Sequence, residues 1–183
     1  NDADYYGRSD EALWLDYIAR HRPPQPFAEL VDRKRRRFIE LLKADQPIFD
    51  GLPELVEKLA RHYPLAIASG SPHPVIDEVL AMRGLHRFFP ITVSVTDVPN
   101  PKPAPDVFLR AAERLGVAAG ECCVIEDSAH GVTAARAGGM RVIAITHSLA
   151  PEALAHAHWV VDTFEEIEGW LLPPGSRNGQ SLR

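Results

Sequence analysis

The sequence has little cysteine, no excess of positive charge and no long apolar run, and each absence argues against a class of protein. No stretch approaches the roughly 18 apolar residues that a membrane-spanning helix requires, so we expect no membrane partner. The 20 Lys and Arg residues against 25 Asp and Glu give a formal net charge of -5, which argues against a nucleic-acid partner. The two cysteines, Cys122 and Cys123, are adjacent, a spacing unsuited to a structural disulfide or a metal knuckle. We therefore expect two reduced core thiols in a cytoplasmic protein.

Two kinds of pattern divide the chain. Residues 9–43 show only helical signals, with two amphipathic stripes separated by the proline-rich stretch at residues 22–26. Beyond a short connector, apolar strands alternate with helices. We therefore predict a helical segment over residues 1–49, an α/β core over residues 50–172 and a disordered tail over residues 173–183.

The alternation of strands and helices indicates an α/β fold with a doubly wound parallel (Rossmann-like) sheet and right-handed crossovers. The predicted strands are residues 65–69, 91–95, 122–125, 141–145 and 159–161. The predicted helices are residues 53–62, 73–83, 105–115, 129–137, 151–155 and 164–172. In such a sheet, ligands bind beyond the carboxyl ends of the strands, so the residues that follow each strand are candidates for function.

Two adjacent acids, Glu126 and Asp127, follow the apolar run at residues 122–125. Two carboxylates at one strand end repel each other unless a cation neutralises them. Oxygen ligands without a cluster of His or Cys suit Mg²⁺, which binds through a few carboxylates together with a substrate phosphate. The structural alternative is a solvated strand end at which Asp127 or Ser128 caps the following helix.

Two other predicted strand ends carry polar groups. Ser69, Gly70 and Ser71 form a strand-to-helix turn whose hydroxyl and N–H groups suit a phosphate, although an ordinary serine-rich turn or helix cap has the same composition. Lys102 stands between two prolines, which restrict where its ammonium group can go. A hydroxyl, an ammonium group and two acids at one edge of a sheet would bind a phosphate beside Mg²⁺ and stabilise a phosphoryl group during transfer.

Several segments carry a resemblance to a known family. They read Ile-Ala-Ser-Gly-Ser-Pro at residues 67–72, Lys-Pro-Ala-Pro-Asp-Val-Phe at residues 102–108, Ile-Glu-Asp-Ser-Ala-His-Gly-Val at residues 125–132 and Gly-Gly-Met at residues 138–140. With them the chain resembles the haloacid dehalogenase superfamily, in the branch that contains beta-phosphoglucomutase and phosphoglycolate-type phosphatases. The likeness runs from about residue 6 to residue 172.

The resemblance implies a role for each candidate residue. Ser69 would bind the transferring phosphoryl group, and Lys102 would offset its charge. Asp127 would be a Mg²⁺ ligand that Glu126 supports directly or through water. The remaining members of the implied phosphate-binding set are Gly70, Ser71 and Ser128.

The resemblance also makes residues 1–49 part of an inserted helical cap that closes over the site and helps to select the substrate. Lys34 falls on a predicted inner stripe of the second helix, where an apolar residue is expected. The other members of this stripe are Phe27, Val31, Phe38 and Leu41. Lys34 would either hold substrate or extend its ammonium group to water. Arg8, in a loop that resembles the family's cap loop facing the active site, would contact either a substrate anion or solvent.

One segment that the resemblance requires is absent from the sequence. The family's nucleophile is an aspartate after a first apolar strand, with a second aspartate two residues later and Gly-Thr after it. Asp2 and Asp4 have this spacing, but only Asn1 precedes them in place of a strand, and Tyr5 follows in place of Gly-Thr. Asp97 is better interpreted as a turn residue than as the nucleophile. The family places that strand between the first and third predicted strands, so its absence predicts two unpaired strand edges facing a gap. We therefore expect the parent protein to be active and the 183-residue chain to be inactive.

The predicted function is that of a Mg²⁺-dependent phosphatase acting on small phosphorylated metabolites, such as sugar phosphates or phosphoglycolate, through an aspartyl-phosphate. One alternative is a sugar-phosphate mutase of the beta-phosphoglucomutase type. An alternative of another class is a non-catalytic module that binds a phosphorylated ligand. We expect a monomer. His73 and His130, which follow the serine-rich turn and the acid pair, are interpreted as polar groups at helix ends.

Overall fold

The computed structural model describes residues 10–173, apart from the side chains of residues 10–13 and 15. The chain divides into two compact units, Asn1–Pro47 and Ile48–Arg183. Arg8 and the predicted disordered tail beyond residue 173 lie outside the described residues. Within the described range, each helix is too short or too polar to cross a bilayer.

The first unit contains two helices, α1 (Asp10–His21) and α2 (Phe27–Asp45). A proline-rich stretch separates them, as predicted, because proline cannot continue a helix that precedes it. At the end of α2, Gln46 adopts a left-handed conformation with φ of 43° and donates its N–H to the carbonyl of Leu42. This bond satisfies one of the carbonyl groups that the end of a helix leaves without a partner.

The predicted inner stripe of α2 is wrong. Its buried and half-buried residues are Leu30, Val31, Arg35, Ile39 and Leu42. Most of the predicted stripe is exposed: Phe27 by 43%, Phe38 by 45%, Leu41 by 44%, and Lys34 as well. Positions 31, 35, 39 and 42 also follow the helical period, so the buried face is rotated away from the predicted one. Lys34 therefore does not stand where an apolar residue is required.

The second unit alternates strands and helices. Its strands are β1 (Ala66–Ser69), β2 (Ile91–Ser94), β3 (Cys123–Glu126), β4 (Arg141–Ile145) and β5 (Trp159–Val161). Its helices are α3 (Leu52–Ala60), α4 (His73–Ala81), α5 (Asp106–Leu115), α6 (Ala129–Ala137), α7 (Pro151–Leu154) and α8 (Phe164–Leu171). Short 3-10 segments cover Met82–Phe88, Val95–Asp97 and Ala119–Glu121. The predicted α/β class is confirmed, with every element within about two residues of its predicted bounds.

The parallel strands form two sheets in place of one. β1 pairs with β2, and β3, β4 and β5 pair in that order, all in parallel register. β1 and β3 are not hydrogen-bonded to each other, as expected if a strand is missing between them. Both are only partly buried, and Ile125 of β3 is 37% exposed, whereas four of the five residues of β4 are buried.

One hydrophobic cluster nevertheless joins the two sheets. Val93 of β2 and Val142 of β4 are both 0% exposed and belong to the same cluster, together with residues of α5 and α6. Ala68 of β1 and Val124 of β3 pack against this cluster from the two sides of the interruption. Burial of apolar surface thus holds the sheets together where backbone hydrogen bonds do not.

Candidate functional site

Lys102 meets Glu126, the first of the two acids, at the carboxyl end of β3. The Lys102 Nζ lies 3.1 Å from Oε2 of Glu126, the last residue of β3, and their side chains are 15% and 12% exposed. The same ammonium group lies 4.5 Å from the ring centroid of Phe108. Two charges so far removed from water are stable only if they compensate each other, so the pair fixes the position of the lysine.

Ser128 connects the acid pair to α6. Its hydroxyl donates to Oε1 of Glu126 and accepts the N–H of Gly131, 3.0 Å away, as the N-cap of the helix. The structural alternative that Ser128 caps the helix therefore holds, and the same side chain also orients Glu126. Glu126 has one oxygen bound by an ammonium group and the other by a hydroxyl.

Gly131 is the residue that makes room for this carboxylate. A Cβ on Gly131 would lie 2.1 Å from Cδ and 2.1 Å from Oε1 of Glu126. Ordinary carbon contacts are about 3.5–4.0 Å, so only glycine lets the Glu126 side chain lie against the first turn of α6. The glycine in the Glu-Asp-Ser-Ala-His-Gly segment is therefore tied to the position of the Glu126 carboxylate.

Asp127, the second acid, is held from β4. Its Oδ2 accepts a hydrogen bond of 2.5 Å from the hydroxyl of Ser148, which follows the end of β4. Sequence reasoning missed Ser148, although it stands where the residues after a strand are candidates. A carboxylate that accepts a hydroxyl on one oxygen keeps lone pairs with which to bind a cation.

The serine-rich turn follows β1, as predicted. The Ser69 Oγ accepts the N–H of Ser71 at 3.0 Å, which leaves the Ser69 hydroxyl hydrogen to point elsewhere. Gly70 is exposed, and α4 begins two residues after Ser71. A hydroxyl donor at the amino end of a helix is the arrangement expected of a phosphate-binding turn.

A buried serine, Ser94, links this turn to the end of β2. Ser94 is 0% exposed, and its hydroxyl donates to the carbonyl of Ser71 at 2.8 Å while accepting the N–H of Thr96 at 3.1 Å. Sequence reasoning missed Ser94. The available signal was a small polar residue at the carboxyl end of a strand, next to the apolar Val93.

His73 and Asp97 make a second link between the same two loops. The His73 Nε2 lies 2.9 Å from Oδ1 and 3.0 Å from Oδ2 of Asp97, whose carboxylate also accepts the N–H of Ser94 at 3.1 Å. The hydrogen bond with His73 is the main cause that holds the pKa of Asp97 below its ordinary value, and the bond from Ser94 adds to it. Asp97 is thus a turn residue, as interpreted from the sequence, with the histidine as an unforeseen partner.

The described residues contain no cluster of three or more His, Cys, Asp or Glu side chains placed to hold a metal ion. Glu126 and Asp127 still offer only carboxylate oxygens, which match the preference of Mg²⁺ for a few carboxylates completed by water and phosphate. Of the two, Asp127 is the better direct ligand, because Lys102 and Ser128 already occupy the Glu126 carboxylate. The residues present therefore fit Mg²⁺ by the chemistry of their donor atoms.

The two cysteines, Cys122 and Cys123, are free and half-buried. Burial raises the pKa of both thiols, so they stay protonated and unreactive at neutral pH. The prediction that they lie in the core is only partly met, because neither reaches the fully buried core.

A family model described as haloacid dehalogenase-like hydrolase matches residues 5–139 of the chain. Fructose-1-phosphate phosphatase YqaB of Escherichia coli K12 is 37% identical over 103 residues, which make up 56% of this chain and 54% of that protein. A probable pseudouridine-5'-phosphatase of Drosophila melanogaster is 32% identical over 170 residues, 88% of this chain and 73% of that protein. The crystal structure of a putative beta-phosphoglucomutase from Thermotoga maritima superposes with a TM-score of 0.68 at 28% identity, covering 90% of this chain and 78% of that chain.

The chain spans between 14% and 55% of the length of the first curated relatives that it matches. The family model nevertheless extends over 135 of the 183 residues, counted from residue 5 to residue 139, and takes in the serine-rich turn, Lys102 and the acid pair. The resemblance stated from these segments is therefore confirmed. The chain belongs to the haloacid dehalogenase-like hydrolases.

Proposed function

We propose that the protein is a Mg²⁺-dependent phosphatase of small phosphorylated metabolites, with sugar phosphates as the first class to test. The observation that carries this proposal is the part-buried contact between Lys102 and Glu126 beside Asp127. It holds a cation and two acids at one strand end, which a phosphoryl-transfer site needs and a solvated strand end does not. The names of similar proteins, a fructose-1-phosphate phosphatase and a probable pseudouridine-5'-phosphatase, support the substrate class.

In this proposal each candidate side chain of the second unit has a role that follows from its contacts. The Ser69 hydroxyl donates to a phosphoryl oxygen, and the N–H of Gly70 faces the same anion, while the N–H of Ser71 holds the Ser69 Oγ in place. The Lys102 ammonium group offsets charge on the phosphoryl oxygens as the bond to the leaving group breaks. Glu126 keeps that ammonium group in place, and Ser128 keeps Glu126 in place.

Mg²⁺, when bound, would neutralise charge on the phosphoryl group and help to align it for attack. Asp127 would hold it directly, oriented by the hydroxyl of Ser148. Glu126 would act through water, because its two oxygens already have partners.

The nucleophile in this proposal is an aspartate carried by a strand between β1 and β3, which forms an aspartyl-phosphate that water then hydrolyses. The break between the two sheets supports this, because both strands facing it keep one unpaired edge. The exposure of Ile125 supports it as well, since an apolar strand residue at a sheet interior is normally covered. The 183-residue chain would then bind phosphate without turning it over.

The remaining parts of the proposal concern the surroundings of the site. Residues 1–49 would serve as a cap that selects the substrate, with Lys34 and Arg8 as candidate contacts for its anionic groups. We propose a monomer. We also propose a cytoplasmic location, for which the two free thiols are the support.

A sugar-phosphate mutase is the second candidate, favoured by the likeness to the putative beta-phosphoglucomutase structure. A mutase would return the phosphoryl group to the sugar, whereas a phosphatase gives it to water. A non-catalytic phosphate-binding module is the third, favoured by the absence of an Asp-x-Asp-Gly-Thr segment from the 183 residues.

The deciding experiment compares the 183-residue chain with a form extended at its amino end by an apolar strand and Asp-x-Asp-Gly-Thr, here called the extended protein. Each is incubated with Mg²⁺ and a panel of hexose, pentose and nucleoside monophosphates. Release of inorganic phosphate by the extended protein supports the phosphatase, and formation of an isomeric monophosphate supports the mutase. If the source gene encodes no such strand upstream, the binding module is the better account.

A further inference from the structure

The loops that follow β1 and β2 are joined by side chains as well as by the pairing of the strands. Ser69 and Ser94 are register partners at the carboxyl ends of β1 and β2, so the two loops leave the sheet side by side. The first loop leads into α4 at His73, and the second leads through Asp97 towards Lys102. The geometry of the two loops therefore determines how the serine-rich turn faces the lysine.

Asp97 is anchored within its own loop. Its Oδ2 accepts the Ser94 N–H at 3.1 Å, and Arg114 of α5 lies 3.6 Å from the same oxygen. Arg114 also donates to the carbonyl of Thr92 at 2.9 Å, which ties this corner to β2. The carboxylate is 18% exposed, so it is a fixed acceptor and not a mobile surface group.

His73 brings this anchor to the other loop. Its Nε2 lies 2.9 Å and 3.0 Å from the two Asp97 oxygens, across 24 residues of sequence. The side chain of His73 is 38% exposed, and exposed ion pairs contribute little to stability. Its contribution to folding is therefore small, whereas its position at the first turn of α4 is next to the turn that holds Ser69.

We propose that His73 and Asp97 are positioning residues, which hold the Ser69–Ser71 turn against the loop of Lys102 so that one phosphoryl group meets both. This inference rests on the proposed function only in that the turn binds a phosphoryl group. The two residues do not touch the phosphoryl group; they restrain the two loops that do. Ser94 donates its hydroxyl to the Ser71 carbonyl and so restrains the same turn through a second contact.

The test uses the 183-residue chain and inorganic phosphate. Phosphate is titrated while the amide signals of Gly70 and Ser71 are followed by NMR, which gives a dissociation constant without any need for turnover. We expect His73→Ala and Asp97→Ala each to weaken phosphate binding about tenfold, and the double variant to be no weaker than either single one, because both break one link. Asp97→Asn keeps an oxygen for the histidine and for the Ser94 N–H, so its affinity should stay within about twofold of the unaltered chain.

The matched control is His86→Ala, which removes an exposed histidine from the same unit and should leave phosphate binding unchanged. Urea unfolding of every variant separates loss of positioning from loss of fold, and Asp97→Asn serves if Asp97→Ala does not fold. Wild-type affinity in His73→Ala, additive losses in the double variant, or equal losses in Asp97→Ala and Asp97→Asn would each overturn the inference. Absence of phosphate binding by the unaltered chain would overturn it too, whereas turnover by the extended protein decides the proposed function separately.

Discussion

Substitution of Gly131 by alanine should disturb the site and not the helix in which the glycine lies. The added Cβ would lie 2.1 Å from Cδ and 2.4 Å from Cγ of Glu126, so the carboxylate has to leave its place. Lys102, 15% exposed, then loses its partner. Removing one member of a buried pair costs about 3–5 kcal/mol. Here the displaced carboxylate reaches water, so we expect a smaller loss of about 2 kcal/mol.

A second contribution to the free energy of unfolding has the opposite sign. Alanine is favoured over glycine in a helix by about 0.5–1 kcal/mol, so the net loss of unfolding free energy should be about 1–2 kcal/mol. Gly169 of α8 is the matched control, because a Cβ there would meet no atom within 4 Å. Gly169→Ala should therefore stabilise the protein by about 0.5–1 kcal/mol.

Urea unfolding followed by circular dichroism measures both effects. The decisive comparison repeats Gly131→Ala in a Glu126→Ala background, where the overlapping side chain is absent. There the substitution should become stabilising, like the control at Gly169. A loss of the same size in both backgrounds would refute the reasoning, because it would show that the Glu126 side chain is not what the glycine accommodates.

Three further predictions concern charged groups. Lys102→Ala and Asp127→Ala should each reduce Mg²⁺-dependent hydrolysis of p-nitrophenyl phosphate by the extended protein at least about 100-fold; a normal rate in either variant would remove its proposed role. Asp97→Asn should lower the free energy of unfolding by about 1 kcal/mol at neutral pH. Because the histidine hydrogen bond holds the pKa of Asp97 below its ordinary 3.8, this difference should be present above pH 3.8 and disappear as the pH falls through the lowered pKa; a difference unchanged in acid would show that the charge of Asp97 is not its cause. Lys58→Met should lower the free energy of unfolding in urea by about 1–2 kcal/mol, because it leaves the carboxylate of Glu168 without its cation. Glu168 is 8% exposed and lies 2.6 Å from Lys58. A change below about 0.5 kcal/mol would count against that pair.

The elements of the second unit were predictable because each strand is a short apolar run that ends at polar residues. The end of β1 at Ser69 and the start of α6 after Ser128 follow directly from that change of composition. The meeting of Lys102 with Glu126 was foreseeable only as a consequence of parallel strands ending at one edge. The interruption between β1 and β3 was foreseeable only because the resemblance required a strand that the sequence lacks.

Other features depend on contacts that periodicity does not encode. On α2 two overlapping stripes follow the helical period, and each carries one basic residue, Lys34 or Arg35, so periodicity alone could not decide which one is buried. The roles of Ser94 and His73 depend on partners 23 and 24 residues away, so local patterns could not reveal them. The reason for a glycine at position 131 lies in the conformation of one glutamate side chain.

In the proposed mechanism, Ser69, Lys102 and Asp127 serve a nucleophile supplied by a strand between β1 and β3. The most direct test measures Mg²⁺-dependent release of inorganic phosphate from p-nitrophenyl phosphate by the 183-residue chain and by the extended protein under identical conditions. We expect turnover by the extended protein, its loss when the first aspartate of the added Asp-x-Asp is changed to asparagine, and none by the 183-residue chain. Turnover by the 183-residue chain would contradict the proposal.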